Sequence, residues 1–132
     1  MDVRIRGIED PTVVTDVDVR CLYPDAPSYG TTSVEKLLEN HETEKRERYQ
    51  QAVQAEGNRF RPFVVTTDGV FGPTAKQLLE QIGKKLADKW KKSKGTVGGW
   101  VRARMAIAIV KACSAGIRGP KIPGGAKAWR MD

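Results

Sequence analysis

Between Val13 and Leu22 the chain alternates in a way that few folds accommodate. Val13, Val17, Val19 and Cys21 share one face of an extended segment, while Asp16, Asp18 and Arg20 share the other, interrupted only by Val14 and Leu22. A strand of period two can bury its apolar face in a core. Its opposite face then carries neighbouring carboxylates, which repel one another unless a cation or a water-filled groove accepts them. Whatever fold the chain adopts must supply one of these.

The elements around this strand follow from shorter patterns. Val3 and Ile5 alternate with Asp2, Arg4 and Arg6, which predicts a short strand, and Gly7–Pro11 is a turn, so the two strands form an antiparallel hairpin. Residues 23–31 read as a loop from their Pro and Gly content. Thr32-Ser33-Val34-Glu35 has capping-box spacing and predicts a helix from there to about Ala55. Gly57–Arg59 breaks the chain, and Phe60–Thr67 is a β-branched and aromatic strand whose Pro62 places it at a strand start or a sheet edge. Asp68-Gly69 turns into a second helix with Pro73 at its first position and the stripe Ala75, Leu78, Leu79, Ile82, Leu86, Trp90. Ser93–Gly99 reads as a polar linker, Trp100–Ala115 as a largely buried third helix, and residues 120–132 as an irregular basic tail behind a single domain of residues 1–119. The expected fold class is α/β: a β-hairpin, then helix, strand and two helices, forming a mixed sheet packed by helices.

At 132 residues such a domain buries enough surface to need no disulfide or metal staple. Cys21 and Cys113 each sit in an apolar stretch and read as reduced core residues, and MDVRIRG has no secretory h-region, so an intracellular location, nuclear or cytoplasmic, is expected. The most apolar stretch, Val97–Ile117, carries Arg102, Arg104 and Lys111, which argues against a membrane span. Charge is divided sharply along the chain. Residues 84–132 hold 13 basic and 2 acidic side chains, net +11, whereas residues 1–83 hold 10 basic and 14 acidic ones, net −4. A basic segment of that density attracts phosphate irrespective of sequence, and Lys84, Lys85, Lys89, Lys91, Lys92, Lys94, Arg102 and Arg104 are its candidate nucleic-acid contacts. The plainer alternative is a solvated lysine face.

The chemistry-bearing residues converge on the polar strand. In the first helix the stripe Val34, Leu37, Leu38 continues through His41, Lys45, Tyr49 and Val53, so helical spacing aims His41 and Lys45 at the sheet. An inward lysine must snorkel or meet carboxylates. Strand acids facing a helix lysine suit metal-assisted phosphodiester cleavage, in which acids hold a hard cation and the lysine orients the nucleophile and stabilises developing charge. Taken singly, each residue has an ordinary explanation: Asp18 and Arg20 as a surface strand with a cross-strand ion pair, Lys45 as a snorkelling helix-edge residue, His41 as a packed boundary histidine. Other chemistries lack their parts. A single histidine excludes an ordinary zinc site, neither cysteine has a base beside it in sequence, and no phosphate-binding glycine loop occurs.

Three stretches carry a family likeness: Asp18-Val19-Arg20-Cys21-Leu22-Tyr23-Pro24; His41-Glu42 with Lys45-Arg46 and Tyr49; and Phe60-Arg61-Pro62-Phe63-Val64-Val65-Thr66-Thr67-Asp68-Gly69 before a Gly-Pro helix. Together they resemble a domain found downstream of reverse transcriptases in non-LTR-retrotransposon-like open reading frames, and Trp100–Arg104 through Ile117–Gly119 resembles its last helix. Such domains resemble the PD-(D/E)XK, restriction-endonuclease-like nucleases. The resemblance implies a Mg²⁺- or Mn²⁺-dependent DNA endonuclease domain of a larger reverse transcriptase polyprotein, acting on DNA or an RNA–DNA hybrid. It places Asp2 at the first motif's aspartate and Asp18 at the second motif's acid, both as metal ligands. Lys45 falls where a catalytic lysine displaced from strand to helix would lie, and Arg20 would bind the scissile phosphate. Arg20 stands where the literal motif has lysine, and the family's preceding helix and strand are missing, so an N-terminally truncated copy is expected. The alternatives are a catalytically inactive nucleic-acid-binding remnant of the same fold, and a structural domain of a polyprotein.

Overall fold

The computed structural model describes residues 1–118, with the side chains of Val110 and residues 112–118 left out of account; the tail of 120–132 and the Cys113 side chain fall outside. Within it, strands β1 (Val3–Arg6) and β2 (Val14–Leu22) are followed by helix α1 (Val34–Ala55), strand β3 (Arg59–Thr66), and helices α2 (Pro73–Trp90) and α3 (Lys94–Arg118), with a short 3-10 turn at Pro27–Tyr29. The sheet order is β1-β2-β3. β1 runs antiparallel to β2, pairing Val3 with Val17 and Arg6 with Val14, and β3 runs parallel to β2, pairing Asp18 with Pro62 and Leu22 with Thr66. The expected mixed sheet packed by helices is therefore present.

The hairpin turn depends on Gly7, whose φ of +88° favours glycine, and on Asp10, whose carboxylate accepts from Thr12 N–H. Pro62 has no N–H to give, and β3 is an edge strand, which is where the proline indicated. Beyond β3, Gly72 N–H donates to Val64 O at 2.8 Å and leads into α2.

Alternation along the strands gives the sheet two unlike faces. Val17, Phe63 and Val65, with Val3, Ile5 and Val19, face a cluster made by Ala75, Leu78, Leu79, Ala87, Val97, Val101 and Ile109 of α2 and α3. The other face meets α1. There Leu22 and Val64 pack on Leu37 and Leu38, and Phe60 on Tyr49, but the middle of the face is Asp16, Asp18 and Arg20. Removing a side chain of this size to the interior contributes about 1.5–3 kcal/mol each, so the α2–α3 face carries most of the apolar stabilisation.

Five expectations are corrected. Helix α1 is capped by Ser33, whose Oγ accepts from Lys36 N–H, one residue after the capping box read at Thr32; Ser33 is the residue with extended φ/ψ and the acceptor in reach. The stretch 93–99 is not a linker, because α3 begins at Lys94 with Ser93 Oγ accepting from Thr96 N–H. One of its glycines serves a helix contact: a Cβ built on Gly83 of α2 would lie 3.7 Å from Gly98 Cα. Nor is α3 largely buried. Only Val97, Val101 and Ile109 are inside among its described side chains, and Trp100 and Ile107 are about half exposed at 49% and 52%, because the helix has one sheet-and-helix face to cover and no second layer outside it among the described residues. Trp90, the last residue of the α2 stripe, is 42% exposed past the end of the core. Cys21 is exposed as well, near the end of β2. No helix is long and apolar enough to cross a membrane among the described residues.

Candidate functional site

The polar half of the α1 face is held by a chain of charge pairs. Lys45, aimed at the sheet by the α1 stripe, forms an ion pair with Asp18 Oδ2; their side chains are 8% and 13% exposed. The Lys45 ammonium also lies 5.4 Å from the Tyr49 ring centroid, a cation–π contact one turn along the helix. So this lysine does not snorkel, and Asp18 does not make a cross-strand pair.

Asp16 makes that pair instead. Its register partner Arg4 donates from Nε to Oδ1 at 2.7 Å and from the fork to Oδ2 at 3.3 Å, and Asn58 Nδ2 donates to Oδ2 at 3.2 Å. Asp16 is 1% exposed. Burial alone pushes its carboxyl up, but the Arg4 and Asn58 hydrogen bonds, with the Arg4 and N-terminal charges, hold it below the usual carboxylate range. A concavity of about 320 Å³ opens beside it, lined by Met1, Arg4, Tyr49 and Glu56 among others.

Asp2 stands at the mouth of the hairpin. The β1–β2 register, continued one step past Val3–Val17, sets it opposite Asp18, and its Oδ2 accepts from Val19 N–H at 2.8 Å. The structure thus brings Asp2, Asp18 and Lys45 to one part of one sheet face. The second oxygen of each carboxylate takes no hydrogen bond from the described residues. No group of three or more His, Cys, Asp or Glu side chains with metal-binding geometry occurs among the described residues. Two carboxylates nonetheless suit Mg²⁺, which keeps several waters and takes the remainder of its shell from one or two acids and the substrate phosphate.

Arg20 continues the same face toward the strand's end. Its Nη1 lies 2.9 Å from His41 Nδ1 and 3.6 Å from Glu44 Oε1. A guanidinium can only donate, so Nδ1 accepts and the ring proton sits on Nε2. Burial first, and then the Arg20 charge, push the His41 pKa down against an upward pull from Glu44, with Lys45 adding the least. His41, packed edge-on to Tyr29 at 5.8 Å, is the hydrogen-bonded boundary histidine that its spacing suggested.

One buried acid escaped the sequence reading. Glu42 of α1 is 7% exposed and accepts from Thr74 N–H at 2.9 Å and Thr74 Oγ1 at 3.2 Å, while Arg46 donates to the same hydroxyl at 2.8 Å. Its charge sits at the positive N-terminal end of α2 and satisfies donors that Gly72, lacking a side chain there, cannot. The available signal was position: Glu42 follows Leu38 by four residues on the buried side of the helix.

The basic residues lie elsewhere. Lys84, Lys85, Lys89, Lys91, Lys92, Lys94, Arg102 and Arg104 are all exposed, on the two helices that pack against the opposite sheet face and on the link between them, and none has an ion pair among the described residues. A groove of about 300 Å³ between α2 and α3 is rimmed by Lys76, Lys84, Lys94 and Arg102 over a floor that includes Gly83 and Gly98. The sequence reading grouped these cations with the acids as one machine; the fold sets them on different sides of the sheet.

No protein-family model matches the chain, and neither does any curated protein or solved structure.

Proposed function

We propose that this chain is a restriction-endonuclease-like domain that hydrolyses DNA phosphodiester bonds with Mg²⁺ or Mn²⁺, as part of a retrotransposon-type reverse transcriptase polyprotein. The observation that carries the reading is the meeting of Asp18 and Lys45 between strand and helix, with Asp2 at the adjoining strand end. The order of hairpin, covering helix and parallel strand supports it as well. Asp2 and Asp18 would hold the ion through their second oxygens. A bound divalent ion lowers the pKa of a water and neutralises phosphate charge. The ammonium of Lys45, ion-paired with Asp18, has three donors able to hold the attacking water and charge developing on the phosphate. Arg20 can exchange its His41 contact for a phosphate oxygen, since neutral His41 loses little when that donor leaves.

The test is nicking of supercoiled plasmid with Mg²⁺, Mn²⁺ or EDTA by the wild-type chain, Lys45→Ala, Asp18→Asn and Asp2→Asn. Metal-dependent nicking lost in all three variants is the expected result. A second reading, nucleic-acid binding without cleavage, is favoured by the closed Lys45–Asp18 pair and its low exposure. Folded wild-type protein that retards DNA in a salt-dependent way but never nicks it would establish that reading instead.

A further inference from the structure

Two of the three tryptophans, Trp90 and Trp100, stand side by side at the junction of α2 and α3, 42% and 49% exposed. Their ring centroids are 5.4 Å apart and their planes meet at 81°, an edge-to-face arrangement that covers only one ring face. The Arg104 guanidinium lies 5.5 Å from the Trp100 centroid. In sequence the pair is surrounded by Lys89, Lys91, Lys92 and Lys94, all exposed. Apolar burial inside the domain does not account for two neighbouring indoles left this open. Surfaces that dock proteins are depleted of charge at their centre, whereas this one has Arg104 against Trp100 and four exposed lysines in the adjoining sequence, none of them ion-paired among the described residues. Its complement is a polyanion that also offers flat apolar faces.

We propose that Trp90 and Trp100 form a stacking platform for the bases of single-stranded nucleic acid, with the flanking lysines and Arg104 meeting its phosphates. Every base has a π-face, so the platform grips unpaired strands with little regard to sequence, and a duplex, whose bases are already stacked, gains only the charge term. The proposal rests on the α2–α3 surface contacting nucleic acid, and it is independent of cleavage. It adds to the proposed function the kind of nucleic acid engaged, one with an unpaired stretch, bound at the exposed α2–α3 junction on the side of the sheet away from Asp18 and Lys45.

The test uses the full chain with Trp129→Phe, so that fluorescence reports the pair alone. An oligo-dT of about 12 nucleotides and a duplex of equal length are titrated at several salt concentrations. The expected result is quenching by oligo-dT, protection of the indoles from acrylamide on binding, and tighter binding of the single strand. Trp100→Ala should weaken oligo-dT binding roughly 5- to 100-fold with an unchanged salt slope, because it removes no cation, and Trp100→Tyr should retain most of the affinity. Lys89→Gln with Lys92→Gln should lower the slope instead. The acrylamide result needs no platform variant, so it stands even if Trp100→Ala fails to fold. Binding that favours the duplex, or indoles as open to acrylamide with oligo-dT as without it, overturns the platform while leaving the basic face intact. Absence of salt-dependent binding to either nucleic acid overturns the reading beneath it. A dimer abolished by Trp100→Ala would make the pair a self-interface and also overturn the proposal.

Discussion

The two faces of one three-stranded sheet are stabilised by different physics. Toward α2 and α3, Val17, Phe63 and Val65 enter an apolar cluster whose contribution scales with area and does not respond to pH. Toward α1, the centre of the face is Asp16, Asp18, Arg20, His41 and Lys45, each tolerable there because a neighbour supplies its counter-charge or hydrogen bond: Arg4 and Asn58 for Asp16, Lys45 for Asp18, and His41 for Arg20. The first face would survive many volume-conserving exchanges; the second fails when one partner is removed. A strand that accepts such an arrangement gives up stability that leucine or valine would have supplied, which is common at sites kept for chemistry.

The sharpest way to separate the faces is to damage each. Phe63→Ala, at a residue 4% exposed and edge-on to Phe71, should cost about 3–5 kcal/mol in chemical denaturation. Lys45→Met should cost about 3 kcal/mol, because it leaves the Asp18 charge inside without its partner, and adding Asp18→Leu should recover most of the loss. If the double variant is no better than the single, the α1 face is not governed by charge pairing. Glu42→Gln keeps the shape but removes the charge from the α2 N-terminus and should cost about 1–2 kcal/mol.

Titration should distinguish the faces without any loss of volume. His41 has its pKa lowered, so the unfolded chain takes up a proton first as pH falls below about 6.5, and stability declines through the window down to the folded value. Asp16 is lowered too, so its contribution is full above about 3.9 and is lost as pH falls through its folded value. Thermal melts against pH should show both declines in wild type and Phe63→Ala, and only the lower one in His41→Gln. The smallest effect belongs to neither face. Lys91 ends α2 at φ +55°, and Lys91→Gly should gain about 0.5 kcal/mol by relieving the left-handed backbone.

Local pattern carried the elements well. The bounds of β1, β2, α1, β3 and α2 follow from alternation, stripe and turn residues, and the inward aim of Lys45 follows from helical spacing alone. What local pattern misread was α3. Gly95, Gly98 and Gly99 speak for a linker, and only the Ser93 cap and the α2 contact, which is a tertiary fact, make them helical. Glu42 was passed over because its partners, the donors of Thr74, lie 32 residues away. The separation of the cations from the acids is a matter of topology: the β2–α1–β3 crossover lays α1 on one side of the sheet, and α2 and α3, which follow β3, pack on the other.

That crossover also dictates how the chain must assemble. β2 can pair with β1 across the short Gly7–Val13 connection, but a two-stranded ribbon is marginal by itself, and its parallel partner β3 comes only after α1 in the chain. Loop closure across the whole of α1, a non-local contact, is therefore the expected slow step of folding, to be checked by the folding and unfolding rates of variants. Substitutions along the β2–β3 ladder should slow folding, whereas those at the outer strand β1 should chiefly hasten unfolding.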